Sequence, residues 1–362
     1  MTEGQNLLER IPRAGFAWSG RLRLLALLAG VALAAAAVWL ASGFGVPVTL
    51  AQVSVRLQGL VTIFLGIFIE ALPFLLAGVL VSSAIHLFVS AETVRRLSPR
   101  NPALAALVGA LLGLAFPVCE CGSVPTTRRL LAKGAPLPLG IAFVLAAPVV
   151  NPIVIASTWV AFGGRWEIVL ARIGLTIIIA AAIGLVLGLH PRPRELLARR
   201  PAAADAHLHD PWHRHADHPD HEHLHDVGGS RLRAVLAHAS GEFFEMGRYL
   251  VFGALLAAAL QVLIPRPALL SLGQGPVVSA LALMGLAVIL SICSTVDAFV
   301  ALAFVSSFLP GAVLAFLVFG PMVDIKSVLM FGTTFRRRTV ALMVLLAFQM
   351  TLLAAVIINL YL

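Results

Sequence analysis

Charge is scarce in this chain: Asp, Glu, Lys and Arg make up 12% of its 362 residues, against 60% apolar residues. Soluble domains carry about 25% charged residues, so at a mean hydropathy of +0.97 a water-soluble globule is excluded and the bilayer is the main solvent. Cysteine is nearly absent, at three residues, two of them one position apart, which excludes a disulfide framework. There is no Gly-x-x-x-x-Gly-Lys-Ser/Thr, His-Glu-x-x-His or Gly-x-Ser-x-Gly sequence. That argues against direct ATP use and against membrane hydrolases of those kinds. The short alternating strands of a transmembrane barrel are missing too, which leaves helices as the way to satisfy backbone groups in lipid.

What is present is a series of long apolar runs. A first run, residues 22–42, is too long for a signal-peptide core and carries Trp39 near its end. It reads as a retained anchor with a cytoplasmic N-terminus, in a unit of residues 1–45. Further segments lie at 58–89, 103–123, 138–162 and 167–189, and again at 242–264, 276–308, 310–331 and 338–361. Between the two sets, residues 191–240 are rich in Pro, His, Asp and Arg without apolar periodicity, and read as a linker that cannot build a packed core. The net charge of +9 does not point to nucleic acid, because the basic residues cluster at the ends of the apolar runs as topology signals do.

The two sets share landmarks, which makes residues 58–190 and 241–362 related repeats. Glu70 precedes Gly78 by the same spacing as Glu245 precedes Gly253. Cys121 lies 27 residues before Pro148 and Cys293 lies 28 before Pro321, while Asn151 and Asp324 each follow their proline by three. Arg95, Arg96 and Arg100 precede the 103–123 segment and Arg128, Arg129 and Lys133 follow it, so both of its ends read as cytoplasmic and the segment as re-entrant. Its counterpart around Cys293 has only Arg266 nearby, before Arg336, Arg337 and Arg338 return the chain to the cytoplasm. The fold expected is an all-α polytopic membrane protein: an anchor helix plus two inverted repeats, each with about three spanning helices and one broken or re-entrant segment. Nine ordinary spans with one exception to the positive-inside rule is the alternative.

The sharpest local feature is Pro117-Val118-Cys119-Glu120-Cys121-Gly122-Ser123-Val124-Pro125. Two prolines and a glycine free backbone groups, which at membrane depth is tolerated where protein or a water-filled cavity receives them. On an unbroken helix Cys119 and Cys121 would face nearly opposite ways, whereas unwound they can share a ligand. Thiolates favour soft ions, and the competing reading is that the cysteines simply pack as small hydrophobes. The second-half counterpart, Ser291 to Asp297, offers Cys293, Ser294, Thr295 and Asp297, and a three-sulfur site with Cys119 and Cys121 is conceivable if the halves cross at the midplane. Intramembrane ionisable residues are functional suspects by default. Glu70, before Pro73 and with no basic residue within a turn, is a candidate for proton exchange, as are Asp324 and Lys326, which can equally form a structural ion pair. Glu245 reads as neutralised by Arg248 one turn on, and Asn151 as a helix cap or ligand contact.

Eight of the eleven histidines, His207, His209, His213, His215, His218, His221, His223 and His225, fall in the linker among acidic residues. That spacing suits weak, labile capture of divalent metal ions, a buffer or sensor rather than a transport site, against the alternative of a solvated linker without a duty. No other cofactor is indicated.

In four stretches the chain resembles the YraQ-type predicted permeases, relatives of the ArsP organoarsenical efflux permeases: Phe-Pro-Val-Cys-Glu-Cys-Gly-Ser-Val-Pro at 116–125, Ala-Ala-Pro-Val-Val-Asn-Pro-Ile-Val at 146–154, Ser-Ile-Cys-Ser-Thr-Val-Asp-Ala-Phe at 291–299 and Gly-Pro-Met-Val-Asp-Ile-Lys at 320–326. The resemblance implies an inner-membrane exporter of a soft metalloid, such as a trivalent methylated arsenical, with Cys119, Cys121 and Cys293 as the membrane thiols. The histidine-rich linker points instead to divalent metals, and a scaffold subunit without cargo is the rival of another class.

Overall fold

The computed structural model describes residues 50–88, 90–116, 118–190, 193–198, 227–263 and 275–361. Two compact units divide the chain, residues 1–57 and 58–362. Of the first, only the opening turns of the helix Leu50–Phe88 are described. The expected anchor at 22–42 and the eight linker histidines lie outside the described residues.

The described residues are almost wholly helical, as the composition requires, and the same order of helices runs twice. The first series is α1 (Leu50–Phe88), the short connector α2 (Ala91–Leu97), α3 (Pro102–Leu111, with a 3-10 turn to Leu114), α4 (Glu120–Ala132), α5 (Leu137–Ala146), α6 (Pro152–Ala161) and α7 (Trp166–Gly188). Next come α8 (Val227–Leu263), α9 (Pro276–Leu290), α10 (Asp297–Leu302), α11 (Pro310–Met322), α12 (Ile325–Phe331) and α13 (Arg337–Tyr361). α3 and α4 correspond to α9 and α10, and α5 and α6 to α11 and α12. Packing follows the same scheme: α3, α5 and α7 form one mutually touching triad, and α9, α11 and α13 form another.

Proline punctuates this pattern. Pro102, Pro152, Pro276 and Pro310 each open a helix, where the missing N–H costs nothing and φ is already helical. Helices of 10 residues such as α5 and α6 rise about 15 Å, half a hydrocarbon core, so each works as half of an interrupted arm. Every half therefore contains two interrupted arms rather than the single one expected: among the described residues breaks fall at 115–116 with 118–119 and at 147–151, and again at 291–296 and 323–324. Among the described residues five stretches are long and apolar enough to cross a membrane, Ser54–Ile85, Trp166–Gly188, Ala239–Leu263, Pro310–Phe331 and Arg337–Tyr361. The protein is a polytopic membrane protein. Ile69, Leu170, Ile178, Leu353 and Leu360 are exposed on three of these helices, a pattern that water would penalise and acyl chains accept.

The linker is narrower than its composition indicates. α8 begins at Val227, because Arg231-Leu-Arg-Ala-Val-Leu-Ala-His-Ala is built of good helix formers. On the other side, Leu197 bridges Phe335, and the Leu196 carbonyl accepts from Arg336 N–H at 3.0 Å and Thr339 Oγ1 at 2.9 Å. Leu196 is buried there, which holds the linker's start to the beginning of α13.

Between α1 and α4 the contact is backbone to backbone. A Cβ on Gly78 would collide with the Gly122 backbone, and one on Gly122 with Gly78 Cα. Without a hydrophobic drive between helices in lipid, small residues that permit such approach hold helices together.

Candidate functional site

Each interruption leaves helix ends to be satisfied, and the residues that satisfy them make the site. At the first break the chain is extended at Cys119 (φ −80°, ψ −177°), and α4 starts at Glu120. Cys119 thus stands at the cap and Cys121 in the first turn, with the two thiols in each other's electrostatic reach. Asn151 caps α6 by accepting from Ile153 N–H at 2.9 Å, and its amide donates to the Val118 carbonyl at 3.3 Å. The two breaks of the first half are thereby tied together.

At the third break the chain leaves α9 through Ser291 in the left-handed region (φ 48°, ψ 43°). The Leu290 carbonyl freed there accepts from Gln261 Nε2 at 2.9 Å. Ser291 Oγ donates to Asp324 Oδ2 at 2.7 Å, joining the third break to the fourth. Asp324 caps α12 with a reciprocal capping box: its Oδ1 accepts from Ser327 N–H at 2.6 Å, and Ser327 Oγ accepts from Asp324 N–H at 2.9 Å. Asn151 and Asp324, equivalent by spacing, thus do equivalent local work.

Two junctions then connect the halves. Where α4 meets α12, the Lys326 ammonium lies 3.4 Å from Glu120 Oε1 and 3.4 Å from Asp324 Oδ2, with all three side chains buried. Gly253 on α8 makes room for this approach, since a Cβ there would lie 3.0 Å from Lys326 Cα. Where α6 meets α10, Arg172 on α7 donates to Asp297 Oδ2 at 2.5 Å and to Thr158 Oγ1 at 2.7 Å. The four breaks are therefore linked to one another by polar contacts. Cys293 lies in the electrostatic reach of Glu120 and Cys119, so thiols from both halves border the first junction. They are not drawn into a closed ligand set: among the described residues no three His, Cys, Asp or Glu side chains converge on one point. The three-sulfur site that a midplane crossing of the halves would allow is not assembled among the described residues.

Several buried polar atoms around this centre have no protein partner: Glu120 Oε2, Ser294 Oγ, Asp297 Oδ1 and Arg172 Nε. Buried polar atoms are ordinarily paired, and their concentration at the breaks marks the centre as a place for something besides packing. Thr295 Oγ1 sits 3.6 Å from Cys293 Sγ.

Glu70 stands apart from this network. It lines a mostly apolar cleft of about 520 Å³ with Ile67, Gln261, Leu290 and Ile292. Although no basic residue lies within a turn, Lys326 is in its electrostatic reach, a relation that sequence distance hides.

Glu245 is paired differently from the expectation. Its two oxygens accept from Arg128 Nη1 at 2.9 Å each, across from α8 to α4, whereas Arg248 lies over the Tyr249 ring, 5.0 Å from its centroid. Next to this pair Glu242 accepts from Arg129 Nε at 3.1 Å and from Ser82 Oγ at 2.9 Å. Arg128 and Arg129, which read from the sequence as loop charges, are thus ion-paired between helices. Arg172, Glu242 and Gln261 were not singled out by the sequence. Arg172 carried a usable signal, as the lone charge deep in the 167–189 run; Glu242 and Gln261 did not.

An all-helical bilayer protein whose interrupted helices meet at a buried polar centre is built as membrane permeases are. The chain belongs to the ArsP_1 family, described as "Predicted permease", whose model matches residues 56–360. It is similar to the UPF0718 protein YcgR of Bacillus subtilis, with 46% identity over 286 residues, 78% of this chain and 91% of the relative. It is also similar to a Streptococcus mutans protein named "Putative two-component membrane permease complex subunit", with 38% identity over 276 residues, 76% of this chain and 87% of the relative. No solved structure matches the chain significantly.

Proposed function

We propose that this permease is a secondary transporter that moves a soft metal or metalloid species across the inner membrane, most plainly outward, with proton exchange at the central carboxylates. One observation carries the reading: polar groups from all four helix interruptions meet beside the thiols of Cys119, Cys121 and Cys293. Soft thiol donors beside oxygen acceptors suit such cargo better than a hard ion. Glu120, Asn151, Ser294, Thr295 and Asp297 would complete the cargo's surroundings, while Glu70, Asp324 and Lys326 are the groups for proton exchange. Rocking of one half against the other would alternate access, as in carriers with repeated halves and discontinuous helices. The reading places the N-terminus and the histidine-rich linker in the cytoplasm, where the linker would gather divalent ions weakly.

The test is Cys119→Ser with Cys121→Ser in a metal-hypersensitive host and in everted vesicles, across methylarsenite, arsenite, zinc, nickel, cobalt and copper. Loss of resistance and of vesicle uptake for one cargo, with the protein still present in the membrane, is the expected result. Unchanged behaviour for all six would overturn the reading. Zinc, nickel, cobalt or copper responding in place of the arsenicals would make it a divalent-metal permease. The name of the streptococcal relative favours a second reading, in which this chain works as one subunit of a two-part permease. Co-purification of a second membrane protein after mild crosslinking tests it.

A further inference from the structure

Two carboxylates flank the Lys326 ammonium, and they are held very differently. Asp324 is committed: Oδ1 accepts from Ser327 N–H at 2.6 Å, and Oδ2 accepts from Ser291 Oγ at 2.7 Å. Those bonds cap α12 and tie two breaks together, so Asp324 cannot leave without unwinding the junction. Glu120 is far less committed: among the described residues the side-chain partner of its Oε1 is Lys326, at 3.4 Å, and Oε2 is buried without a hydrogen-bond partner. A carboxylate 98% enclosed with one oxygen bare is costly unless something else visits it.

The charges around Lys326 also do not balance. One ammonium faces Glu120 and Asp324 at equal distance, with Glu70 in reach and the Cys121 and Cys293 thiols alongside. A site with more carboxylates than cations accommodates a second cation and repels an anion.

We infer that Lys326 is a tethered internal cation that holds the place of cationic cargo on Glu120, and that cargo binds by displacing its ammonium from Glu120 while Asp324 retains it. Lysine suits this role. Its ammonium is a compact charge on a flexible stem and can swing between two acceptors without breaking a fixed fork of bonds, as arginine could not. Bare Oε2 and the neighbouring thiols give an arriving soft cation its first contacts. The exchange lets the centre hold a positive charge whether loaded or empty, which spares the membrane interior an uncompensated Glu120. This inference rests on the reading of the centre as a cargo site and names the charge class of the cargo, a soft cation.

The experiment titrates purified full-length protein with Cd²⁺ as a soft probe. It reads the ultraviolet thiolate-to-cadmium band, which the linker histidines do not produce. Lys326→Met removes the competitor and should tighten binding about tenfold, whereas Lys326→Arg, held to Glu120 by a bidentate fork, should weaken it by about the same factor. Equal affinities in the three proteins, or the reverse order, would overturn the inference and leave the cargo site standing. No thiolate band in the wild-type protein would remove the soft-cargo reading itself and the inference with it. Should Lys326→Met fail to fold, Lys326→Arg against wild type still decides, because it keeps the ion pair.

Discussion

The two junctions between the halves use the same ingredients to opposite ends. Where α6 meets α10, Arg172 reaches Asp297 at 2.5 Å and Thr158 at 2.7 Å. Where α4 meets α12, Lys326 stands 3.4 Å from each of two carboxylates. A planar guanidinium locked onto short bonds fixes a distance between helices, whereas a lysine shared between acceptors leaves that distance adjustable. One junction is a clasp and the other a seat. Every long-range ion pair described joins the first half to the second: Arg128 to Glu245, Arg129 to Glu242, Arg172 to Asp297 and Lys326 to Glu120. In lipid, where apolar surface gives helices no reason to prefer one another over acyl chains, polar contacts of this kind decide how the halves meet.

Breaking the clasp should have the largest effect. Asp297→Ala leaves Arg172 buried without its carboxylate and should cost about 3–5 kcal/mol, seen as a lowered melting temperature of the purified protein. Adding Arg172→Met should restore most of it. An Asp297→Ala protein as stable as wild type would show that the clasp holds nothing. The two caps sharpen the contrast. Asp324→Ala removes a cap and a partner of Lys326 and should cost about 2–4 kcal/mol, whereas Asn151→Ala should cost about 1 kcal/mol. Equal melting temperatures for the two variants would mean that Asp324 acts as a cap alone. The smallest effect belongs to Glu245→Gln, whose pair with Arg128 is partly exposed. It should change stability by about 1 kcal/mol or less, and a larger fall would make the α4–α8 contact a third structural clasp.

The first break of each half could be read along the chain because its residues announce it. Pro117 disfavours a continuous helix, and the recurrence of the Cys-to-Pro spacing placed a counterpart near Cys293, whereas Gly122 and Pro125, expected to open the chain as well, lie inside α4. Pairing was harder to read. Arg248 is one turn from Glu245, and local proximity is the natural guess, but the helix turns Arg248 toward Tyr249 while Arg128 arrives from 117 residues away. The second interruption in each half was signalled by Pro148 and Pro321. It appears as a break only in the folded chain, since prolines in apolar helices are also tolerated as kinks.

Composition alone determined the solvent, the helical class and the residues too polar or too rigid to lie quietly in lipid, because the cost of unsatisfied backbone and charge in hydrocarbon applies to any arrangement of the chain. Only the tertiary structure decided which charges neutralise which. Ion pairs among the described residues span the two halves, and whether Glu120 meets Lys326 or stands bare depends on α4 crossing α12, a contact between residues 206 positions apart.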